Sequence, residues 1–172
     1  HMSARRQRQM CIRDRYRRGK VELLTNGVGL SVVVFFPLIS AFIITLIPKA
    51  QEQLIKRFAL VSSLITFVLS AVLLFQFDFS SADKLQLGNK ISWIKSINAN
   101  YEIGIDGISL PLLVLSTFIT VLAIIYSIEH LPEPKSPKGF LALILVLETG
   151  MNGTFVALDL ILFFVFFEIV LL

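Results

Sequence analysis

The chain has 172 residues, of which 55% are hydrophobic and only 16% charged, and its formal net charge is +4. Long uncharged windows at that composition exclude a soluble domain and read as an all-α, polytopic membrane helix bundle in contact with lipid. The positive charge is local: five of the 16 Lys and Arg (Arg5, Arg6, Arg8, Arg13, Arg15) fall in residues 1–15 against one acid, Asp14, and the remainder balances.

That basic start, HMSARRQRQMCIRDR, lacks the apolar stretch and small-residue cleavage site of a secretory signal. Its run from Arg5 to Asp14 resembles the in-frame translation of a common transposase sequencing adapter. Residues 1–15 are therefore set apart from the fold and expected to be disordered, ahead of a basic membrane-proximal tail or a nucleic-acid arm. No nucleic-acid partner is expected. Cys11, the only cysteine, goes with that segment, so thiol chemistry and cysteine-ligated metals are not available to residues 16–172.

The first span is expected over 28–48 and contains Pro37, which membrane helices accept when neighbours satisfy the freed carbonyl. A charged connection, Lys49 to Arg57, separates it from a second span over 58–77 whose polar residues are Ser62, Ser63, Thr66, Ser70 and Gln76. Such serines more often pack helices or bond their own backbone than bind a ligand. Asp78 to Asp106 reads as a loop, with Trp93 and Tyr101 as interfacial anchors. Asp106, three residues before Ser109, looks like a helix start with Pro111 permitted in the first turn, but on the residues alone Asp106-Gly107 is read first as a simple turn. A third span is expected over 108–128, ended by the proline-rich connector EHLPEPKSPKG.

The last stretch, Phe140 to Leu172, is almost wholly apolar yet carries Glu148, Asp159 and Glu168. It reads as a helical hairpin, 140–157 and 159–172, turning near Leu158. The two glutamates then lie ten residues either side of the turn, a depth of about 15 Å in a hydrocarbon core of about 30 Å. Ionisable groups near the midplane are costly and mark ion or proton paths, so Glu148 and Glu168 are the candidate site; a protonated packing residue is the plainer alternative for either. Asp159 reads as a helix cap or interface residue. Gly150 and Gly153 allow close helix approach, and Asn152 lies one turn beyond Glu148 on the same face. The second helix falls short of a span, so the chain is expected to stop within its fifth transmembrane helix.

Three stretches, YEIGIDGISLPLLVLSTFITVLAI, FLALILVLETGMNGTFVALDL and LILFFVFFEIVLL, resemble the amino-terminal part of chain M (subunit 4) of proton-translocating NADH–quinone oxidoreductase, respiratory complex I. The resemblance implies an antiporter-like, proton-translocating subunit of a bacterial inner membrane or equivalent energy-converting membrane, partnered by the other membrane subunits of the complex. It implies that Glu168 pairs with a buried lysine of a later helix and that Glu148 occupies a second acidic position. No cofactor is expected in this chain, since redox chemistry would belong to other subunits. Asn152 and Thr149 depart from the family pattern, which usually has an aliphatic residue and an alanine there. A subunit of a related cation/proton antiporter or membrane-bound hydrogenase, or a membrane scaffold that transports nothing, are the competing readings. With the first fifteen residues set aside, basic residues divide six to five between the two sides, and the resemblance places the amino terminus outside the cytoplasm.

Overall fold

A computed structural model describes residues 27–81, 84–95, 99–130 and 137–171. The adapter-like segment 1–15, with Cys11, lies outside the described residues, as does most of the proline-rich connector. In chain order the elements are α1 (Val28–Leu46), α2 (Glu52–Gln76), a 3-10 turn (Phe79–Ser81), β1 (Gln86–Ile94), β2 (Ala99–Ile105), α3 (Ser109–His130), α4 (Pro137–Val156) and α5 (Leu160–Leu171). Helices α1 to α4 are each long and apolar enough to cross a membrane, and the protein is a multi-pass integral membrane helix bundle. The twelve residues of α5 are apolar but shorter than a span.

Two helices begin earlier than apolarity suggests. The expected span over 58–77 starts at Glu52, because its first turns are amphipathic: Ile55 is buried while Glu52 and Arg57 face outward. An acidic residue in the first turn also suits the helix dipole. Apolar content marks the membrane-embedded part of a helix and not its end. Likewise α4 begins at Pro137, within the connector, since proline lacks only an N–H that the first turn would leave unbonded. Lys138 then donates to the Ile47 carbonyl at 2.7 Å, tying the start of α4 to the end of α1.

The stretch 78–106, read from sequence as a loop, contains an antiparallel hairpin of β1 and β2. Lys90 and Glu102 face each other across it and form an exposed ion pair at 2.7 Å. The hairpin lies over one end of the bundle. Gly27, at φ 70, sits so close to Asn89 that a side chain there would collide. At the far edge Ile103 bridges to Ala157, and Leu158 N–H donates to the Glu102 carbonyl at 2.9 Å. Tyr101, expected as an interfacial anchor, instead turns inward: its hydroxyl lies 2.9 Å from Ser31 Oγ and its ring 6.3 Å from that of Phe35. Trp93 remains half exposed.

The core falls into two apolar clusters. One lies at the hairpin end and includes Leu30, Val33, Val34, Leu73, Phe77, Leu110, Leu113, Val156 and Phe166. The other lies at the opposite end and includes Ala41, Ile44, Ile55, Ala59, Ile124, Leu141 and Leu145. Between them the buried positions of α2, α3 and α4 turn polar.

Candidate functional site

Helix α4 carries Glu148 into that polar layer. Leu141, Leu145, Glu148, Asn152 and Val156 recur at helical spacing and are all buried, so the face that is apolar at both ends is polar in the middle. Glu148 and Asn152 are both 0% exposed. Neither Glu148 carboxyl oxygen, and neither polar atom of the Asn152 amide, has a hydrogen-bond partner among the described residues. Thr149 Oγ1 donates to the Leu145 carbonyl of its own helix at 3.1 Å. The polar neighbours that the sequence offered to Glu148 therefore do not bond its carboxyl.

Neighbouring helices line the same layer with hydroxyls. On α2, Ser62, Ser63, Thr66 and Ser70 are buried, and on α3 Ser116, Thr117 and Thr120. Ser70 and Thr117 meet across the α2–α3 seam at 2.8 Å. The other bonds mostly turn back on their own helix, as from Thr66 Oγ1 to the Ser62 carbonyl and from Thr120 Oγ1 to the Ser116 carbonyl. That is the packing use of Ser and Thr in membrane helices. Ser62 and Ser116 hydroxyls, however, have no partner among the described residues.

Glu168 is placed differently. Helix α5 runs back along α4 in close contact, because Gly150 admits Val170, Ile169 and the Phe166 backbone, and Gly153 admits the Phe166 ring. This register puts Glu168 level with the Glu148–Asn152 turn, within about one helical turn (5.4 Å) of Glu148 in depth. Its side chain nevertheless faces outward, while Leu162 and Phe166 supply the buried face of α5. The two glutamates thus share a depth and not an environment: one is fully buried, the other lies on the outer face of the described residues.

The turn between α4 and α5 is fixed by Asp159. Its Oδ1 accepts from the N–H groups of Ile161 at 2.9 Å and Leu162 at 3.4 Å, capping α5. Its Oδ2 accepts from the Asn100 N–H of β2 at 3.0 Å. These bonds, the Asn100 one foremost, hold its carboxyl below the usual carboxylate range. Asp106 is held low in the same way, by the Ser109 and Ile108 N–H groups that it caps at the start of α3. Ser109 Oγ returns the favour by accepting from the Asp106 N–H at 2.9 Å, so the helix-start reading prevails over the simple turn. Burial raises the Tyr101 hydroxyl above its ordinary value, against the lowering effect of its bond to Ser31.

No group of three or more His, Cys, Asp or Glu able to hold a metal occurs among the described residues. The hairpin and the two polar partners of Tyr101 and Asp159 were missed in the sequence. The alternation Lys90-Ile91-Ser92-Trp93 and Tyr101-Glu102-Ile103 was the signal for strands.

Residues 32–154 match the family described as NADH-ubiquinone oxidoreductase chain 4, amino terminus. The chain is 36% identical over 148 residues to an NAD(P)H-quinone oxidoreductase chain 4 of Prochlorococcus marinus (strain NATL2A), covering 86% of this chain and 27% of that protein. It is 37% identical over 158 residues to the same-named protein of strain MIT 9303, covering 88% and 27%. A chloroplastic NAD(P)H-quinone oxidoreductase chain 4 of Staurastrum punctulatum is 36% identical over 150 residues, covering 87% and 28%. The chain thus spans about a quarter of the length of these relatives.

Proposed function

The chain belongs to the NADH-ubiquinone oxidoreductase chain 4 family, and from that membership we propose that it forms the first helices of a proton-translocating membrane subunit of a quinone-reducing respiratory complex. Quinone reduction elsewhere in the complex would drive proton transfer through its midplane glutamates. The observation that carries this reading is the placement of two carboxyls at one depth, Glu148 enclosed and Glu168 facing outward.

A membrane carboxyl is neutral when alone, and a nearby ammonium restores its charge. Glu168 faces away from the helices described, so its cationic partner must come from another helix. Moving or neutralising that partner changes the proton affinity of Glu168, which converts conformational change into proton transfer. At an effective dielectric constant of about 20, a pair at 4 Å is still coupled by about 4 kcal/mol. Glu148, within one turn in depth, serves as a second station on the bundle side.

The names of the relatives speak for a quinone oxidoreductase over a related antiporter or hydrogenase assembly, and neighbouring genes on the source DNA would separate these. A membrane scaffold is separated by function. In the full-length subunit, assembled with its complex, Glu168→Gln should abolish proton translocation, and Glu148→Gln should reduce it less. Proton uptake and quinone reduction are to be measured together on each variant. Translocation by Glu168→Gln at the wild-type ratio of protons to electrons would reduce the outward glutamate to a packing residue and end this reading.

A further inference from the structure

An open groove runs between α1 and α4 toward the end of the bundle far from the hairpin. Leu38, Phe42 and Thr45 stand on one wall and Gly139, Leu143 and Val146 on the other, around a space of about 720 Å³. From Leu38 to Thr45 it extends for about 10 Å along the helix axis. Gly139 widens its mouth, since even an added Cβ there would meet nothing within 4 Å. Thr45 is the one polar side chain of the lining, and its hydroxyl donates to the Phe42 carbonyl of its own helix at 2.6 Å. The groove therefore suits an apolar occupant. Its mouth has the opposite character. Lys138, next to Gly139, places its ammonium 2.7 Å from the Ile47 carbonyl, two residues past Thr45. An ammonium has three donors, so two remain for an anion. Lys49, two residues beyond Ile47, is exposed at the same end. Among the described residues neither lysine is paired with a carboxylate.

We propose that this groove holds an acyl chain of an anionic phospholipid whose phosphate is bound by Lys138, with Lys49 adding to the attraction. Basic residues at the membrane surface, and basic pockets between membrane helices, draw anionic lipid in this way. A further transmembrane helix would satisfy the apolar walls, but it would leave the Lys138 ammonium against an apolar surface unless it carried an acid at that level. A phospholipid answers both ends of the groove, because its chain and its charge are joined where hydrocarbon meets the headgroup layer. A zwitterionic headgroup would bring a cation of its own beside two lysines, so the charge selects an anionic one. The lipid would lie along the seam that Lys138 closes with Ile47 and fill the space beside that tie. This site stands in either orientation of the bundle, and whether or not the subunit translocates protons.

Photocrosslinking tests this in the full-length subunit, assembled in its complex and held in phosphatidylcholine nanodiscs. The probe is a small fraction of phosphatidylglycerol with a diazirine in one acyl chain, and labelled residues are mapped by mass spectrometry. Phe42 and Leu143, on the groove, should be labelled several-fold above Val61 and Leu122, which are exposed on α2 and α3. Unlabelled phosphatidylglycerol in place of phosphatidylcholine should remove the excess, and a phosphatidylcholine probe with the same diazirine should show none. Lys138→Gln should lower the excess several-fold, while Lys138→Arg should keep it. Labelling at Phe42 and Leu143 no higher than at the comparison residues, or absent, would mean that bulk lipid or a protein neighbour covers the groove and would overturn the proposal. So would an equal excess with the phosphatidylcholine probe, or an excess unchanged by Lys138→Gln. If that variant fails to assemble, the two probes and the competition in the wild-type complex still decide.

Discussion

The Asp159 carboxylate accepts a hydrogen bond from the backbone N–H of Asn100, a residue 59 positions earlier in the chain, while its other oxygen caps α5. One side chain thus fixes the hairpin to the turn between the last two helices. Its carboxyl is held below the ordinary value. A depressed folded value means that the contribution is present above the unfolded carboxylate range, near pH 4, and is lost as pH falls through the folded value. Hydrogen exchange at the Asn100 amide should therefore be steady from pH 7 to 5, once corrected for intrinsic rates, and lose protection below about pH 4. Other carboxyls titrate in the same window, so the comparison is with Asp159→Asn. That variant should show weaker protection at neutral pH and a smaller loss on acidification; identical profiles would remove Asp159 from the docking of the hairpin.

Tyr101 makes a second tie, from the hairpin to α1. Removing its hydroxyl in Tyr101→Phe leaves the Phe35 contact intact, and Ser31 Oγ keeps its own bond to the Gly27 carbonyl at 3.1 Å. The cost should therefore fall near the lower end for a lost hydrogen bond, about 0.5–1 kcal/mol. Tyr101→Ala also loses the ring packing and should cost about 2 kcal/mol or more. Thermal unfolding of the full-length subunit in detergent, followed for both variants, checks the order; equal losses would mean that the ring contributes nothing.

Much of this architecture was legible because the membrane simplifies the problem. Uncharged windows mark helices when backbone groups must be bonded internally, so Val28 and Ser109 fall within a residue of where apolarity begins. Glu52 and Pro137 were missed because a helix outside the hydrocarbon has no need to be apolar. The hairpin was missed because β1 is largely exposed, so its alternation marks no buried face. Of the site, the shared depth of Glu148 and Glu168 could be counted from the turn. That one is enclosed and the other faces outward could not be. The orientation of α5 depends on which of its nearly uniform apolar residues meet Gly150 and Gly153, and a face made wholly of Phe, Leu, Ile and Val does not declare itself.

The ends of the bundle are now distinguishable, which sharpens the orientation proposed from the family resemblance. The start of α1, the hairpin and Asp159 lie together at one end, and the Ile47–Lys138 contact at the other. With the amino terminus outside the cytoplasm, Lys49 and Gly139 should be cytoplasmic and Trp93 should be outside. In a full-length protein whose only cysteine is placed at Lys49 or at Trp93, an impermeant thiol reagent applied outside should label only the Trp93 substitution. Labelling only at Lys49 would invert the topology without changing the fold.

Gly153 offers the sharpest test of the close approach that sets Glu168 at its depth. A Cβ at this position would enter the ring of Phe166, which is itself 3% exposed and lies 6.1 Å from the Phe35 ring. A cavity lined by Phe35, Tyr101, Leu162 and Phe166 lies beside the ring, so the collision is relieved by the ring swinging into it or by α5 shifting away from α4. Gly153→Ala should destabilise the full-length subunit by about 1–3 kcal/mol, despite the better helix propensity of alanine. Gly139, where an added Cβ meets nothing within 4 Å, is the control: Gly139→Ala should be neutral or slightly stabilising. If the collision is the cause, Phe166→Leu should recover part of the Gly153→Ala loss, and a double-mutant cycle should give a coupling of about 0.5–3 kcal/mol. Additive losses would mean that Gly153 and Phe166 do not touch, and the depth assigned to Glu168 would lose its support.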